Sequence, residues 1–392
     1  MQGALDSVAG DAGRLASGVA RRPEILCLTS LRSVAALEVV LFHTLFELGG
    51  KPATELPGVV VALLTRGGAA VSFFFVLSGF ILAYTYTEDG AMKGAPRKFW
   101  RARFARIYPL YALGFAIDAP RVVSLFIGST TSLGGALAKI GLAGLAYLTL
   151  LQSWHPRVTN TWNTPGWTLS TEAFFYAVFP ALQGLARRWS FLVLFVIVLA
   201  TWALQIIAYG ALTRSHLVDA TAPGFVTFWR SFPPFRVPEF CLGLLSGRLL
   251  LTGRWAGRQT VVRWSAAAAL ALILLVSVRP GLVPAALEVS LLAPLFALVI
   301  FALGSGALPT FGWLNGPIPV LLGRASYAVY ILHQPLKTVF LAIARRAGLD
   351  SPSPALLLAY LVCLELTCVG LFQWFEDPLR RLITRVPTPS SR

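Results

Sequence analysis

Charged residues are scarce in this sequence. They make up 13% of its 392 residues, whereas a soluble globular domain contains about 25%. Hydrophobic residues make up 56%, and they occur in long runs. The scarcity of charge excludes an ordinary soluble domain, and the composition is typical of a membrane protein.

Acidic residues are the rarer charged type: 17 Asp and Glu against 33 Lys and Arg give a net charge of +16. The basic residues lie in short clusters between apolar runs and form no basic domain, so we expect no nucleic-acid partner. Basic clusters beside membrane spans are typical of cytoplasmic loops. The clusters are MKGAPRKFWRARFAR, Arg187–Arg188, GRWAGRQTVVR and EDPLRRLITR.

Cysteine is also scarce, and its spacing predicts neither a disulfide framework nor a metal site. All four cysteines lie in or beside apolar runs, which favours small packed side chains. We therefore expect no bound metal. The cysteines are Cys27, Cys241, Cys363 and Cys368.

The common motifs of soluble enzymes are missing from the sequence. It contains no GxSxG, HExxH, Walker or dinucleotide-binding pattern. Ser78 lies in FFFVLSGF, without the strand–turn–helix context of a nucleophile elbow. We therefore expect Ser78 and Gly79 to be small residues at a close helix contact.

The apolar runs predict an all-α, polytopic membrane protein with about ten transmembrane helices, because one span needs about 20 mostly apolar residues. No internal repeat stands out. The predicted spans are 28–48, 67–87, 104–127, 168–186, 191–209, 237–251, 264–278, 283–304, 320–343 and 355–376.

The basic segments predict the orientation of these spans. With the N-terminus in the cytoplasm, ten spans place all four basic segments and the C-terminus on the cytoplasmic side. An eleventh apolar run, 133–151, would move three of these segments outside if it crossed, so we predict a re-entrant or interfacial helix there. Arg345 and Arg346 fall outside and are the exception. The four segments are 88–103, 187–190, 252–263 and 377–392.

One membrane domain, residues 25–384, accounts for most of the chain. The first twenty residues carry two aspartates and lack the pattern of a signal peptide. We predict that residues 1–24 form a cytosolic tail and that 385–392 form a disordered tail.

The first predicted span contains three ionisable residues, in the stretch RSVAALEVVLFH. Arg32 and His43 lie about 20° apart on one helix face and about 16 Å apart along the axis. Ionisable groups within a membrane usually face a cavity and indicate function. Alternatively, His43 hydrogen-bonds a neighbouring helix and Arg32 reaches the headgroups. Glu38 lies about 140° from His43 and has no predicted role.

Two arginines share one face of the third predicted span. Arg103 and Arg106 are three residues apart in FWRARFAR. Guanidinium groups bind phosphates bidentately, so the pair is a candidate phosphate site at the cytoplasmic end. The alternative is ordinary positive charge beside a span.

A glutamate follows the turn signal Pro165–Gly166 in PGWTLSTEAFF. Glu172 lies in the first turns of the next helix, where it is either a functional carboxylate or a charge that the helix dipole favours. Trp167 fits either the lining of a cavity or an aromatic belt at the membrane surface.

Three polar side chains lie on one face of the ninth predicted span. Ser326, Tyr330 and His333 occur at i, i+4 and i+7 in ASYAVYILHQPLK. Such a stripe either lines a cavity or joins helices through hydrogen bonds.

These segments, in this order between about residues 28 and 379, resemble the signature segments of the acyltransferase 3 family of integral membrane acyltransferases. Arg32 and His43 resemble its arginine–ten residues–histidine signature, and Arg103 and Arg106 its RxxR segment. FFFVLSGF, PGWTLSTEAFFYAVFP and SYAVYILHQP resemble its other segments. The chain differs where Thr29 replaces a frequent aspartate and where Glu172 stands without a second glutamate.

The resemblance implies transfer of an acyl group, usually acetyl, from cytosolic acyl-CoA to a hydroxyl of a sugar or glycan. Acceptors of this class include exopolysaccharide, lipopolysaccharide and glycosylated small molecules, and some are lipid-linked. The enzyme would lie among the lipids of the bacterial cytoplasmic (inner) membrane as a multi-pass protein. Acyl-CoA would be its donor substrate, and it would hold no permanently bound cofactor.

The resemblance also implies roles for individual residues. Arg103 and Arg106 would hold the phosphates of CoA, and the groove from Arg32 to His43 would hold the pantetheine arm. His43 would be the general base, and Glu172 would orient it or the acceptor. Further candidates for the cavity lining are Ser326, Tyr330, His333 and Trp167.

A membrane transporter or exporter of a glycan or acylated metabolite is the alternative, because intramembrane charges can line a permeation path. Transporters often show repeat symmetry or paired broken helices. The sequence shows neither feature, which favours the enzyme.

Overall fold

The computed structural model describes most of residues 22–385. The predicted N-terminal tail lies outside the described residues up to position 21, and the predicted C-terminal tail does so from position 386. Within the range, the structure leaves out 216–218, 220–221, 280–281, 285–286, 288, 311 and 350.

Helices form nearly all of the described chain, which confirms the all-α class. They are α1 (Leu26–Thr54), α2 (Gly58–Leu64), α3 (Gly67–Tyr86), α4 (Pro96–Ser129), α5 (Leu133–Leu148), α6 (Pro156–Thr159), α7 (Trp167–Arg188), α8 (Phe191–Arg214), α9 (Pro223–Ser231), α10 (Val237–Leu251), α11 (Gln259–Ser277), α12 (Ala293–Gly304), α13 (Pro317–Arg346), α14 (Pro354–Leu371) and α15 (Asp377–Thr384).

Shorter elements join these helices. One hairpin pairs β1 (Thr87–Glu88) with β2 (Ala91–Met92) in antiparallel register, Thr87 opposite Met92. A π-helical turn, Phe372–Glu376, connects α14 to α15. The 3₁₀ turns are Gln152–Trp154, Thr164–Gly166, Pro233–Arg236, Ala256–Arg258 and Gly312–Asn315.

Local sequence explains where several helices begin. The hydroxyl of Ser190 accepts a hydrogen bond from the Val193 N–H at the start of α8. Ser353 does the same for Leu356 at the start of α14, where Pro354 is the first helical residue. Such caps satisfy N–H groups that a helix leaves unpaired.

Each predicted span overlaps a helix, but the lengths differ. The predicted span 283–304 is helical only from Ala293, because the described residues from 287 to 292 form turns. Six helical segments of the described chain are long and apolar enough to cross a membrane. They are Leu26–Thr54, Gly58–Tyr86, Pro96–Ser129, Phe191–Arg214, Ala256–Ser277 and Pro354–Thr384.

The ambiguous run 133–151 forms α5, a helix of 16 residues. At 1.5 Å per residue it is about 24 Å long, which is shorter than the roughly 30 Å hydrocarbon core. Its length fits the predicted re-entrant or interfacial helix, which stays a prediction.

Helix ends that were predicted to be cytoplasmic lie together. Arg248 near the end of α10 donates hydrogen bonds to the side chain of Gln183 in α7 at 2.7 Å and to the carbonyl of Gly90 in the hairpin at 3.2 Å. Arg324 of α13 forms a 2.7 Å ion pair with Glu24, just before α1.

Ends that were predicted to lie outside also meet. Arg66, before α3, donates to the carbonyl of Ser277 at the end of α11 at 3.0 Å. The N–H of Ser353, before α14, donates to the carbonyl of Leu48 in α1 at 2.7 Å. These contacts agree with the predicted directions of the helices that they join, while the number of spans and the side that faces the cytoplasm stay predictions.

A buried ion pair joins three helices. Arg236, before α10, contacts Glu239 of α10 at 3.0 Å and the side-chain oxygen of Gln205 in α8 at 3.4 Å. It also donates to the carbonyl of Trp229 in α9 at 3.3 Å. Intramembrane charges are costly unless they are paired, so this cluster fixes α9 against α8 and α10.

Two glycines let α3 and α10 touch through their backbones. A Cβ on Gly243 would lie 1.8 Å from the carbonyl oxygen of Val76, and one on Gly79 would lie 2.0 Å from that of Phe240. Both distances exclude any side chain without movement of the helices. Gly79 is therefore at a close helix contact, as the sequence predicts.

This contact gives a test of the fold. Gly243→Ala should lower the free energy of unfolding by about 1–3 kcal/mol, because overpacking forces the helices apart. Gly210→Ala in α8 is the matched control: its Cβ would have nothing within 4 Å, and alanine is the better helix former by about 1 kcal/mol. Thermal unfolding of both purified variants in detergent measures the difference. Equal melting temperatures for the two variants would contradict the close contact.

Candidate active site

A cavity of about 130 Å³ lies inside the bundle, between α1, α3, α4, α7 and α13. It contains charged and polar side chains from segments that are up to about 300 residues apart in sequence. An interior cavity with a few convergent polar groups is the usual form of a small-molecule site. Its charged and hydroxyl-bearing lining residues are Arg32, Ser78, Arg103, Arg106, Thr168, Glu172, Tyr176, Ser326, Tyr327 and Tyr330.

The three predicted arginines meet at this cavity but have different partners. Arg106 forms an ion pair with Glu376 of the π-helical turn, whose side chain is only 1% exposed. The guanidinium of Arg106 also lies 5.6 Å from the centre of the Tyr327 ring. The charge of Arg106 is thus balanced within the protein.

Arg103 is held by aromatic groups. Its Nη2 donates to the hydroxyl of Tyr86 at 3.0 Å, and its guanidinium lies 5.3 Å from the Tyr86 ring and 5.9 Å from the Tyr176 ring. Its buried Nε has no hydrogen-bond partner among the described residues. Cation–π contacts leave the positive charge in place, so Arg103 can still bind an anion.

Glu172 lines the cavity together with the arginines. It accepts hydrogen bonds from the hydroxyl of Tyr176 at 2.5 Å and from that of Ser78 at 3.3 Å. Its charge acts on Arg32 and Arg103. These contacts place Glu172 with the arginines, whereas the sequence suggested that it orients His43 or the acceptor. Ser78, expected only as a small packing residue, also lines the cavity.

His43 meets His333 across the interface between α1 and α13. The Nε2 of His333 lies 3.3 Å from the Nδ1 of His43, and the ring centres are 5.1 Å apart. His333 is fully buried, whereas His43 is half-buried. Tyr330, one turn before His333, lines the cavity, so the histidine pair lies just beyond the cavity wall.

The other polar candidates divide between the cavity and its surroundings. Ser326 and Tyr330 line the cavity, and the hydroxyl of Tyr330 lies 3.0 Å from that of Thr168. Trp167 lies outside the lining, where its ring is 5.8 Å from the guanidinium of Arg230 and 6.1 Å from the Phe75 ring.

Comparison with known proteins shows the family. Residues 25–372 match the family described as "Acyltransferase domain". The chain belongs to the acyltransferase 3 family. The match covers most of the predicted membrane domain, 25–384.

Curated relatives agree with this family. The chain is 33% identical to the acyltransferase MdmB of Streptomyces mycarofaciens, over 78% of this chain and 77% of that protein. It is 28% identical to the exopolysaccharide production protein ExoZ of Rhizobium meliloti (strain 1021), over 81% and 90%. It is 25% identical to Nodulation protein 10 of Rhizobium leguminosarum bv. viciae, over 80% and 83%. No solved structure matches the chain significantly.

Two carboxylates near the candidate site of this acyltransferase were not predicted from the sequence. Glu376 is the first residue of EDPLRRLITR, a stretch that was interpreted as a basic cluster, and its side chain is buried. Glu47 forms an ion pair with Lys337, one turn beyond each histidine. The presence of an acidic residue at the start of a basic cluster was the sequence signal that could have indicated a role for Glu376.

The Arg106–Glu376 pair predicts a large effect on stability. Glu376→Gln removes the charge that balances a buried guanidinium, so the free energy of unfolding should fall by about 3–5 kcal/mol. Asp377→Asn is the matched control, because Asp377 pairs with the exposed Arg380 and Arg381 and such pairs contribute about 1 kcal/mol or less. Unfolding titrations in mixed detergent compare the two. A loss for Glu376→Gln no larger than that of the control would contradict the buried pair.

Proposed function

We propose that this acyltransferase moves an acyl group, acetyl in the first instance, from cytosolic acyl-CoA to a hydroxyl of a sugar or glycan. The observation that carries the proposal is the convergence of the family's segments on one cavity. Arg32, Arg103, Glu172 and Tyr330 line it together, although they lie on four different helices. His43 and its partner follow directly beyond Tyr330.

The arginine end of the cavity suits the phosphates of CoA. Arg32 and Arg103 both line the cavity, and the charge of Arg106 is already balanced by Glu376. Hydrogen bonds between guanidinium and phosphate are short and strong. We therefore assign phosphate binding chiefly to Arg32 and Arg103, and the pantetheine arm would extend along α1 towards His43.

The histidine end suits the chemistry. His43 would take the proton of the acceptor hydroxyl while the hydroxyl oxygen attacks the thioester carbonyl carbon. A C–O bond forms and the C–S bond breaks. The CoA thiolate then takes the proton from the His43 imidazolium, which restores the neutral base. The acceptor thus gains the acyl group and loses one proton, and CoA loses the acyl group and gains that proton.

The acceptor class follows from the relatives. One of them is named an acyltransferase and another an exopolysaccharide production protein, which favours hydroxyls of an exopolysaccharide. Lipopolysaccharide and glycosylated small molecules offer the same hydroxyl chemistry. We place the enzyme in a bacterial cytoplasmic membrane, with ten spans and both ends in the cytoplasm. The basic helix ends that meet on one side of the bundle support this orientation.

The base is tested by the release of CoA. His43→Ala should lower kcat about 10²–10⁴-fold, the usual contribution of general acid–base catalysis. The assay measures the free thiol released from acetyl-CoA by the purified protein in nanodiscs. It is run once with a saccharide extract of membranes as acceptor and once with water as the only acceptor. His155→Ala is the matched control, because His155 is exposed and lies outside the cavity lining.

Two results of this assay would count against the proposal. No thiol release by the native enzyme from acetyl-CoA or succinyl-CoA, with any saccharide fraction, would reject the acyl-CoA donor. Equal rates for His43→Ala and the native enzyme would reject His43 as base.

Donor binding is tested by comparing an arginine that lines the cavity with one that does not. Arg103→Ala should raise the KM for acetyl-CoA about ten- to a hundredfold, because a hydrogen bond to a charged group contributes about 1.5–3 kcal/mol. Arg101→Ala on the same helix is the control: Arg101 donates to the carbonyl of Thr384 at 3.3 Å and does not line the cavity. An unchanged KM for Arg103→Ala, or an equal rise for both variants, would remove Arg103 from the donor site.

A further inference from the structure

Two polar contacts, one turn apart, connect α1 with α13. His43 meets His333, and four residues further along each helix Glu47 pairs with Lys337. The two helices also touch through their backbones, because a Cβ on Gly323 would lie 2.0 Å from the carbonyl oxygen of Thr29. The histidine contact is therefore part of a fixed helix interface and does not depend on two mobile side chains.

The hydrogen bonds determine which nitrogen carries each proton. The Nδ1 of His333 lies 2.7 Å from the carbonyl oxygen of Tyr330, and the Nδ1 of His43 lies 2.9 Å from that of Val39. A carbonyl oxygen can only accept, so in the neutral rings both Nδ1 atoms carry hydrogen. The Nε2 of His333 then carries a lone pair that faces the Nδ1–H of His43. This N–H is shared between the Nε2 of His333 and the carbonyl oxygen of Val39.

This arrangement leaves the Nε2 of His43 unprotonated. A general base needs such a lone pair, and a group on its opposite nitrogen that fixes the ring. Serine hydrolases use a carboxylate for that purpose. Here Glu172 is engaged with Tyr176 and Ser78, and a neutral imidazole lies at the required position.

We infer that His333 is the positioning residue of the base: its Nε2 accepts the Nδ1–H of His43, fixes the tautomer and ring orientation of His43, and steadies the imidazolium formed during acyl transfer. This inference rests on the proposed function. His333 takes up no proton in the reaction. The proton moves from the acceptor hydroxyl to the Nε2 of His43 and from there to the CoA thiolate.

The surroundings of His333 hold it in this position. It is fully buried, and the hydroxyl of Tyr360 in α14 donates to its backbone carbonyl at 2.5 Å. The nearby charges that act on His43 are those of Arg230 and Lys337, both cations. A neutral partner suits this site, since it orients His43 without forming an ion pair with either cation.

Three variants test the inference. His333→Leu introduces an apolar side chain of similar length, which cannot accept a hydrogen bond. His333→Gln can place an amide oxygen near the position of Nε2 and accept the same proton. Arg324→Gln breaks the ion pair between α13 and Glu24, just before α1, and controls for the helix interface away from His43. Each is compared with the native enzyme and His43→Ala in the acetyl-CoA assay, under saturating donor and over a range of donor concentrations.

The expected result is a kcat about 10–100-fold lower for His333→Leu, with the KM for acetyl-CoA unchanged within about twofold, because the phosphate site is untouched. His333→Gln should recover at least a tenth of the native kcat, and Arg324→Gln should keep native kcat. The separation of kcat from KM and the rescue by Gln are effects that a loss of folding alone would not produce.

Other results would overturn the positioning role. A native kcat for His333→Leu, or equal losses for the Leu and Gln variants, would show that no hydrogen bond to His43 is needed. Losses of the same size for Arg324→Gln and His333→Leu would assign the effect to the helix interface. Failure of the proposed function is distinct, because the native enzyme itself would then release no CoA.

Discussion

The close contact between α1 and α13 is the constraint on which the site depends. Gly323 lets the backbones meet near Thr29, the hydroxyl of Ser30 donates to the carbonyl of Leu314 at 2.5 Å, and the helices then stay together as far as His43 and His333. A bulkier residue at Gly323 would separate the helices, and 3.3 Å between two ring nitrogens leaves no room for separation. The chemistry proposed for His43 thus depends on a small residue that lies about three turns of helix before His333.

Buried charges divide this protein into structural and functional sites. Arg236 with Glu239 and Arg106 with Glu376 are paired within the bundle, as the cost of intramembrane charge requires. Arg103 instead lies among aromatic rings. Pairing neutralises a charge for binding, whereas an aromatic environment does not. The contrast explains why two arginines three residues apart on one helix, equivalent in the sequence, have different roles in the proposed enzyme.

Much of the fold was predictable from sequence, since the lengths of the apolar runs indicate where the helices lie. Within one helix the outcome differs between the two residues: Arg32 lines the cavity, whereas His43 contacts His333 of the neighbouring helix, which is the alternative that the sequence left open. Contacts between helices were not predictable. The partner of His43 is 290 residues away and that of Arg106 is 270 residues away. The resemblance implied that Glu172 orients His43 or the acceptor, and helix periodicity leaves the depth of a residue relative to other helices undetermined. Its hydroxyl partners, Tyr176 and Ser78, place it with the arginines.

The charges that line the cavity, and the histidine pair beside it, would give the proposed donor a direction. Arg32 and Arg103 attract phosphate, and Glu172 beside them repels it. Phosphates would therefore stop at the arginines, while the uncharged amides of the pantetheine arm can pass a carboxylate whose acceptor sites already bind Tyr176 and Ser78. Tyr330 also lines the cavity, one turn before His333, which contacts His43. In the proposed enzyme, a donor with one anionic end and one neutral reactive end would thus be oriented before the chemistry begins, and its thioester would arrive at the base that we infer His333 to position.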